Sequence, residues 1–310
     1  MITMLLAPLL VPFAVPLLAH RTVERRNPVV ALWALTAAAV ALALGSLASL
    51  SALLLAGALR LPVLARLGEL IHPLHVAPGA LLYPAAALSA VALTVCAWTL
   101  SRTGLRRLRQ LRSARLRADA RPVAGDLSVI DDLQADAYAL PGKPGRIVVT
   151  TGMLRALAPA EREVLFAHER AHLAGRHHYF LAAADLAAHC HPALRQLRPA
   201  IQLAAERAAD EAAAAASGDR RLTALAIGRA ALASQGTAAG RPFFAPGATT
   251  GPVPRRVAAL LRTSPSRHRV APAVAVLLLL CTTTSALGAM TGAVDLHRGV
   301  EIAQGESAGG

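Results

Sequence analysis

Four stretches of the chain carry no Asp, Glu, Lys or Arg: Met1–Ala19, Val29–Leu59, Gly79–Leu100 and Val270–Val294. A helix needs about 20 apolar residues to cross the roughly 30 Å hydrocarbon layer of a bilayer, and each run is near or above that length. Helices of soluble domains keep a polar stripe opposite their apolar face. These runs have none, so the pattern predicts four transmembrane helices. The first run lacks a basic leading segment, and no small-x-small site precedes the charged "HRTVERR", which separates it from a cleaved signal peptide. Its Pro8, Pro12 and Pro16 are tolerable in a bilayer, where neighbouring helices satisfy the backbone groups that proline frees.

Between the third and fourth runs the period changes. "DLSVID", "DAYAL" and "RIVVTTG" read as strands, and "PGKPG" reads as a hairpin turn between the last two. A helix is expected from Pro159, with proline at its first position and Glu161 and Glu163 near the positive end of its dipole. Further helices are expected over "YFLAAADLAAHCHPAL", stopped near Pro192, over "IQLAAERAADEAAAAAS", ended by Gly218, and over "TALAIGRAALAS". The Gly/Pro/Thr segment 236–254 reads as a loop. The expected fold is a mainly α membrane protein, with four transmembrane helices and an α+β domain built on a small sheet. The expected division is 1–100 for three spans with short loops, 101–269 for the domain, 270–294 for the fourth span and 295–310 for a short tail.

Charge gives this arrangement a direction. Arg21, Arg25 and Arg26 lie between the first two runs; Arg102, Arg106, Arg107, Arg109, Arg112, Arg115 and Arg117 follow the third; Arg262, Arg267 and Arg269 precede the fourth. The remaining linker has only Arg60 and Arg66, and the tail only Arg298. By the positive-inside rule both termini face outward and residues 101–269 are cytosolic, as in a multi-pass protein of a bacterial inner membrane. The net charge of +14 would also suit nucleic acid, but most of it flanks the apolar runs, where it meets anionic headgroups of the lipid bilayer. Aromatic residues make up 3% of the chain and form no stacking platform, so no direct nucleic-acid partner is expected. The Leu105, Leu108, Leu111 spacing fits either a basic amphipathic helix on the membrane surface or a solvated continuation of the third span. The three cysteines offer no disulfide framework; two sit in apolar runs and Cys190 is on the cytosolic side.

The chemistry is concentrated in "HERAHLAGRHH", His168 to His178. On a helix, His168 and His172 share a face, and neutral imidazoles are good zinc ligands. Glu169 sits beside them, placed to take a proton from an attacking water rather than to bind metal. Two residues compete to complete the ligand set. His178 fits the longer pattern HExxHxxGxxH, with Gly175 breaking the helix, but that pattern needs a methionine-containing turn downstream. The only methionine beyond His178 is Met290, in the fourth apolar run. Glu206, in "ERAAD", is the other candidate. Glu206 and Asp210 lie four apart and repel on a helix unless something offsets them; the offset is either a cation or a local pairing with Arg207.

"DAYALPGKPGRIVVTTGML", "EREVLFAHERAH" and "ERAAD" together resemble the membrane gluzincin peptidases of families M48 and M56. The likeness is closer to M56, the group containing the β-lactam-sensing antirepressors, where three spans precede a cytosolic protease domain and a fourth follows. The resemblance implies one Zn2+ per chain held by His168, His172 and Glu206. It implies Glu169 as the general base and Asp210 as the partner of a ligand imidazole. Arg256, in "GPVPRRVAALL", matches an arginine that stabilises an oxyanion or supports the site, although the His-Pro of M48 relatives is missing. Ala137, Tyr138 and Ala139 match an edge strand that pairs with extended substrate. The implied function is a membrane-embedded zinc metalloendopeptidase acting on a cytosolic or membrane-associated protein, such as a transcriptional repressor in a signalling pathway. The alternative is a non-catalytic membrane signalling or scaffold protein with a structural or vestigial zinc site. The β-lactam sensors carry a large extracellular domain after their fourth span; only "DLHRGVEIAQGESAGG" stands there, so penicillin sensing is not expected.

Overall fold

The computed structural model describes residues 2–15, 27–61, 79–120, 123–235 and 252–262, with isolated residues between 283 and 301. Two apolar runs form long helices, α2 (Pro28–Ala58) and α3 (Gly79–Asp119), both long and apolar enough to cross a membrane. The Asn27 side chain accepts from the Val29 N–H at 2.9 Å and Pro28 opens α2, so the first turn is satisfied where the chain enters. The first run contributes α1 (Ile2–Leu10) and a 3-10 turn, Val11–Phe13, which begins one residue before Pro12. The Ser46 hydroxyl, buried in α2, donates to the carbonyls of Leu42 and Pro8 at 2.9 and 3.0 Å, tying α1 to α2. Small residues set the approach of α2 to α3: a Cβ on Gly57 would collide with that of Ala86. The expected fourth span lies outside the described residues apart from isolated positions, as does the loop segment 236–251.

No break separates the third apolar run from the Arg-rich segment after it. α3 carries straight through both, which is the continuation rather than a separate surface helix. Its far end has an inner face of Ala114 and Ala118 that packs on Leu140 and Val148 of the sheet. Arg115 reaches the carbonyls of Pro141 and Pro144 at 2.7 and 3.1 Å, clasping the "PGKPG" turn. Four strands follow: β1 (Val123–Ala124), β2 (Leu127–Ile130), β3 (Ala137–Leu140) and β4 (Arg146–Thr150). Their order is β1-β2-β4-β3, with β2 parallel to β4 and β3 antiparallel to it, Ala137 facing Val149 and Leu140 facing Arg146.

After β4, the Thr150 hydroxyl caps α4 (Thr151–Ala156) by accepting from Met153 N–H. The helix expected from Pro159 is α5 (Pro159–Ala174). Its Glu161 carboxylate accepts from the Ala158 N–H at 2.9 Å and also pairs with Arg229 at 2.6 Å. Leu165 and Phe166 on α5 pack against Ile147 and Val149, which lays the helix across the sheet. The chain then forms α6 (His177–Cys190), a 3-10 segment Pro192–Leu197, α7 (Arg198–Ser217), α8 (Arg220–Ala233) and α9 (Val253–Leu261). Gly218, at φ +69, ends α7 in the left-handed conformation that glycine adopts at least cost. α9 begins at Val253, within the segment expected to be loop.

The domain packs directly on the two long apolar helices. Ala31, Leu32, Leu35, Ala39, Leu42 and Ala43 of α2 share one core with Ala184 and Ala187 of α6 and Ala200 to Ala205 of α7. α3 joins from the other side: the Cys96 thiol donates to the carbonyl of His189, and Thr103 meets the His189 ring at 3.1 Å. Arg107 of α3 and Arg198 at the start of α7 both pair with the buried Asp185 of α6, the latter at 2.8 Å. Removing one partner of a buried ion pair costs about 3–5 kcal/mol. Arg198 is partly exposed, so Asp185→Ala is expected to cost about 2–3 kcal/mol, read as a lower melting temperature of the detergent-solubilised protein. Asp185→Asn is expected to recover part of that loss.

Candidate metal centre

The centre forms where three helices meet: α5 and α7, which the sequence pattern predicts, and α9, which begins inside the segment expected to be loop. α5 presents His168, Glu169 and His172, α7 presents Glu206 and Asp210, and α9 presents Arg256. All six side chains are buried, none more than 2% exposed. His168 Nε2 and His172 Nε2 lie 3.1 Å apart. Glu206 oxygens lie 3.5 Å from the first and 3.7 Å from the second. One ligand atom from each of these three residues falls within 4.8 Å of the others. Zinc with four ligands at about 2.0–2.2 Å holds neighbouring ligand atoms roughly 3.3–3.6 Å apart. The donor set therefore fits a zinc-sized ion.

A layer of partners stands behind these donors. His168 Nδ1 is 3.0 Å from Asp210 Oδ1. Arg256 grips Asp210 in a bidentate pair, Nε to Oδ2 at 2.8 Å and Nη2 to Oδ1 at 2.6 Å, and its Nη1 is 3.0 Å from Glu206 Oε2. His172 Nδ1 is 2.7 Å from Nδ1 of His177, the first residue of α6. The ring of His178 instead packs on Tyr179, centroids 4.1 Å apart, and is not in the convergent group. β3, with Ala137, Tyr138 and Ala139, stands last in the strand order beside β4.

Charge explains why these groups are stable together. Glu169, Glu206 and Asp210 bring three carboxylates into the interior, and the Arg256 guanidinium faces two of them. A divalent cation would add compensating charge; buried charge without compensation is costly. Burial pushes the Glu206 and Asp210 carboxyls up, but the Arg256 guanidinium and the facing histidines together outweigh it and hold both below the ordinary carboxylate range. Burial lowers His168, yet Asp210 and Glu206 lift it to about 9, so in the metal-free state a proton takes part of the cation's place. Burial lowers His172 despite Glu206, and burial with the neighbouring His172 takes His177 down to about 3.

These positions can be set beside known families. Residues 106–194 match peptidase family M48. The match runs from the basic half of α3 through the sheet and α5 to the 3-10 segment after α6, and so includes His168, Glu169 and His172. It supports a relation to the M48 metallopeptidases, which ordinarily use zinc. Glu206, Asp210 and Arg256 lie beyond the matched residues and are brought to the histidines by the fold. No curated protein and no solved structure matches the chain.

The family resemblance implied Arg256 as an oxyanion-stabilising or supporting residue; in the structure it contacts Asp210 and Glu206. Beyond that resemblance, its spacing is a local signal: it lies one turn before Leu260, the other buried residue of α9. Arg256→Met keeps the bulk but removes the guanidinium that faces two buried carboxylates. It is expected to cost about 3–5 kcal/mol in the metal-free protein, measured by thermal melting, with added zinc restoring part of the loss. Zinc must also displace the His168 proton, which is held up to about pH 9 in the metal-free state. Calorimetry is therefore expected to show about one proton released per zinc at pH 7, with apparent affinity rising as pH rises toward that value.

Proposed function

We propose that the chain is a membrane-embedded zinc metalloendopeptidase of the M48/M56 type. In this reading His168, His172 and Glu206 hold one zinc ion per chain and Glu169 is the general base. The observation that carries the reading is the convergence of those three ligating side chains beside Glu169 on a helix inside the M48-matched segment. When bound, zinc supplies Lewis acidity, polarising the scissile carbonyl and making water more acidic. Glu169 takes the proton that the attacking water loses as its oxygen bonds to the carbonyl carbon. The same carboxylate then delivers that proton to the departing amine nitrogen as the C–N bond breaks. Asp210 holds His168 in the tautomer that leaves its Nε2 lone pair for the metal, and Arg256 fixes Asp210 and Glu206 in turn.

Two helices apolar and long enough to cross a bilayer, packed directly on α6 and α7, support action at a membrane. The Arg distribution supports a cytosolic face for the domain, in a bacterial inner membrane with both termini outside. The substrate is then an extended segment of a cytosolic or membrane-associated protein, for which a transcriptional repressor is the candidate the M56 likeness suggests.

Purified protein is expected to hold one zinc and to cleave a denatured reporter protein. General acid–base catalysis contributes about 10²–10⁴-fold, so Glu169→Gln is expected to slow cleavage by at least about 10²-fold while zinc content stays unchanged. Glu206→Gln is expected to lose zinc as well as activity. Wild-type cleavage by Glu169→Gln would refute the assignment. Zinc retained without any cleavage by the wild type would favour a structural site in a membrane scaffold.

A further inference from the structure

We infer that His177 is a positioning residue for the ligand His172, acting as the hydrogen-bond acceptor that fixes its tautomer. The inference rests on the reading of His168, His172 and Glu206 as metal ligands. Two ring nitrogens 2.7 Å apart share one hydrogen, so one of the facing Nδ1 atoms donates and the other accepts. His172 Nε2 faces His168 Nε2 and Glu206, and a ligand must offer its lone pair there. The His172 hydrogen therefore sits on Nδ1 and is donated to His177 Nδ1.

The chain takes an unusual course to put that acceptor in place. α5 stops at Ala174, and Arg176, at φ 51 and ψ 39, occupies the left-handed region, so the chain reverses and α6 begins at His177. An L-residue other than glycine holds this conformation at a cost of about 1–2 kcal/mol. Gly175 has φ −75, so its glycine is not required for backbone freedom. It is required for space: a Cβ there would lie 2.5 Å from His177 Nε2 and 2.8 Å from Cδ2. The His177 ring thus folds back over the end of α5 and meets the His172 ring edge-on, 86° between planes, while only 5% exposed. The longer histidine pattern is explained by this turn: Gly175 makes room for His177, and His178 points elsewhere.

The two histidine ligands are consequently supported differently. His168 leans on a carboxylate, Asp210, whereas His172 leans on a neutral ring. A metal-ligating histidine ordinarily donates to a carboxylate, a carbonyl or water, and loss of such a partner costs about 10- to 100-fold in metal affinity.

The test uses the full-length protein in detergent, with zinc affinity measured by chelator competition and site geometry read from the visible spectrum of the cobalt-substituted protein. His177→Phe keeps a ring but removes the acceptor; His177→Asn offers an oxygen near the place of Nδ1. The Phe variant is expected to bind zinc about 10- to 100-fold more weakly and to show an altered cobalt spectrum. The Asn variant is expected to stay near the wild type in both. An unchanged affinity and spectrum in His177→Phe, or an equal loss in His177→Asn, would overturn the inference while leaving the ligand assignment standing. Wild-type protein without stoichiometric zinc would overturn the ligand assignment, and this inference with it.

Discussion

Three carboxylates and one guanidinium buried in a single cluster impose the constraint on which the centre depends. Glu169, Glu206 and Asp210 cannot all stay ionised in an apolar interior unless positive charge faces them, and Arg256 supplies only part of it. The remainder falls at the point where His168 Nε2, His172 Nε2 and the Glu206 carboxylate converge. Low dielectric makes each of these interactions strong and each omission expensive. The cluster therefore also acts as a clamp, joining α5, α7 and α9 through charge where apolar contact alone would allow them to slide.

The same group of helices is joined to the long apolar helices α2 and α3 by a second kind of contact. The first part of α7, from Ala200 to Ala205, packs on α2, and the next turns carry Glu206 and Asp210. Asp185 pins the start of α7 to α3 through Arg198 and Arg107. A displacement of α2 or α3 would reach Glu206 on α7 through about one turn of helix. The basic stretch after the third apolar run also serves the interior: Arg107 and Arg115 make specific contacts, while Arg102, Arg106 and Arg109 remain exposed.

Much of this was legible beforehand, and the reasons are local. Pro159 and the acidic first turn announced α5, the Pro/Gly run announced the β3–β4 turn, and Gly218 announced the end of α7, because each acts on its own few residues of backbone. The four apolar runs were legible from composition, and two of them are described here as long helices. Spacing alone did not decide between an amphipathic surface helix and a continued span, because Leu105, Leu108 and Leu111 are compatible with both. The sheet beneath the helix decided it by receiving Ala114 and Ala118. α9 was read in part as loop, since nine residues with two prolines nearby carry little helical signal until Arg256 and Leu260 are buried.

The sequence by itself determined the chemistry at hand: two imidazoles and a carboxylate on one helix, two more carboxylates on another, and apolar runs long enough to cross a membrane. Those follow from periodicity and residue type, which need no tertiary contact. Only the folded chain decided which distant groups meet them. It brought Glu206 rather than His178 to the paired Nε2 atoms, set Arg256 against both carboxylates of α7, and turned His177 back onto His172. Glu206 and Arg256, 34 to 88 positions from the two histidines, leave no periodic trace, and His177 reaches His172 only through the turn at Arg176. Their meeting is fixed by helix packing and by the need to balance charge in a buried place.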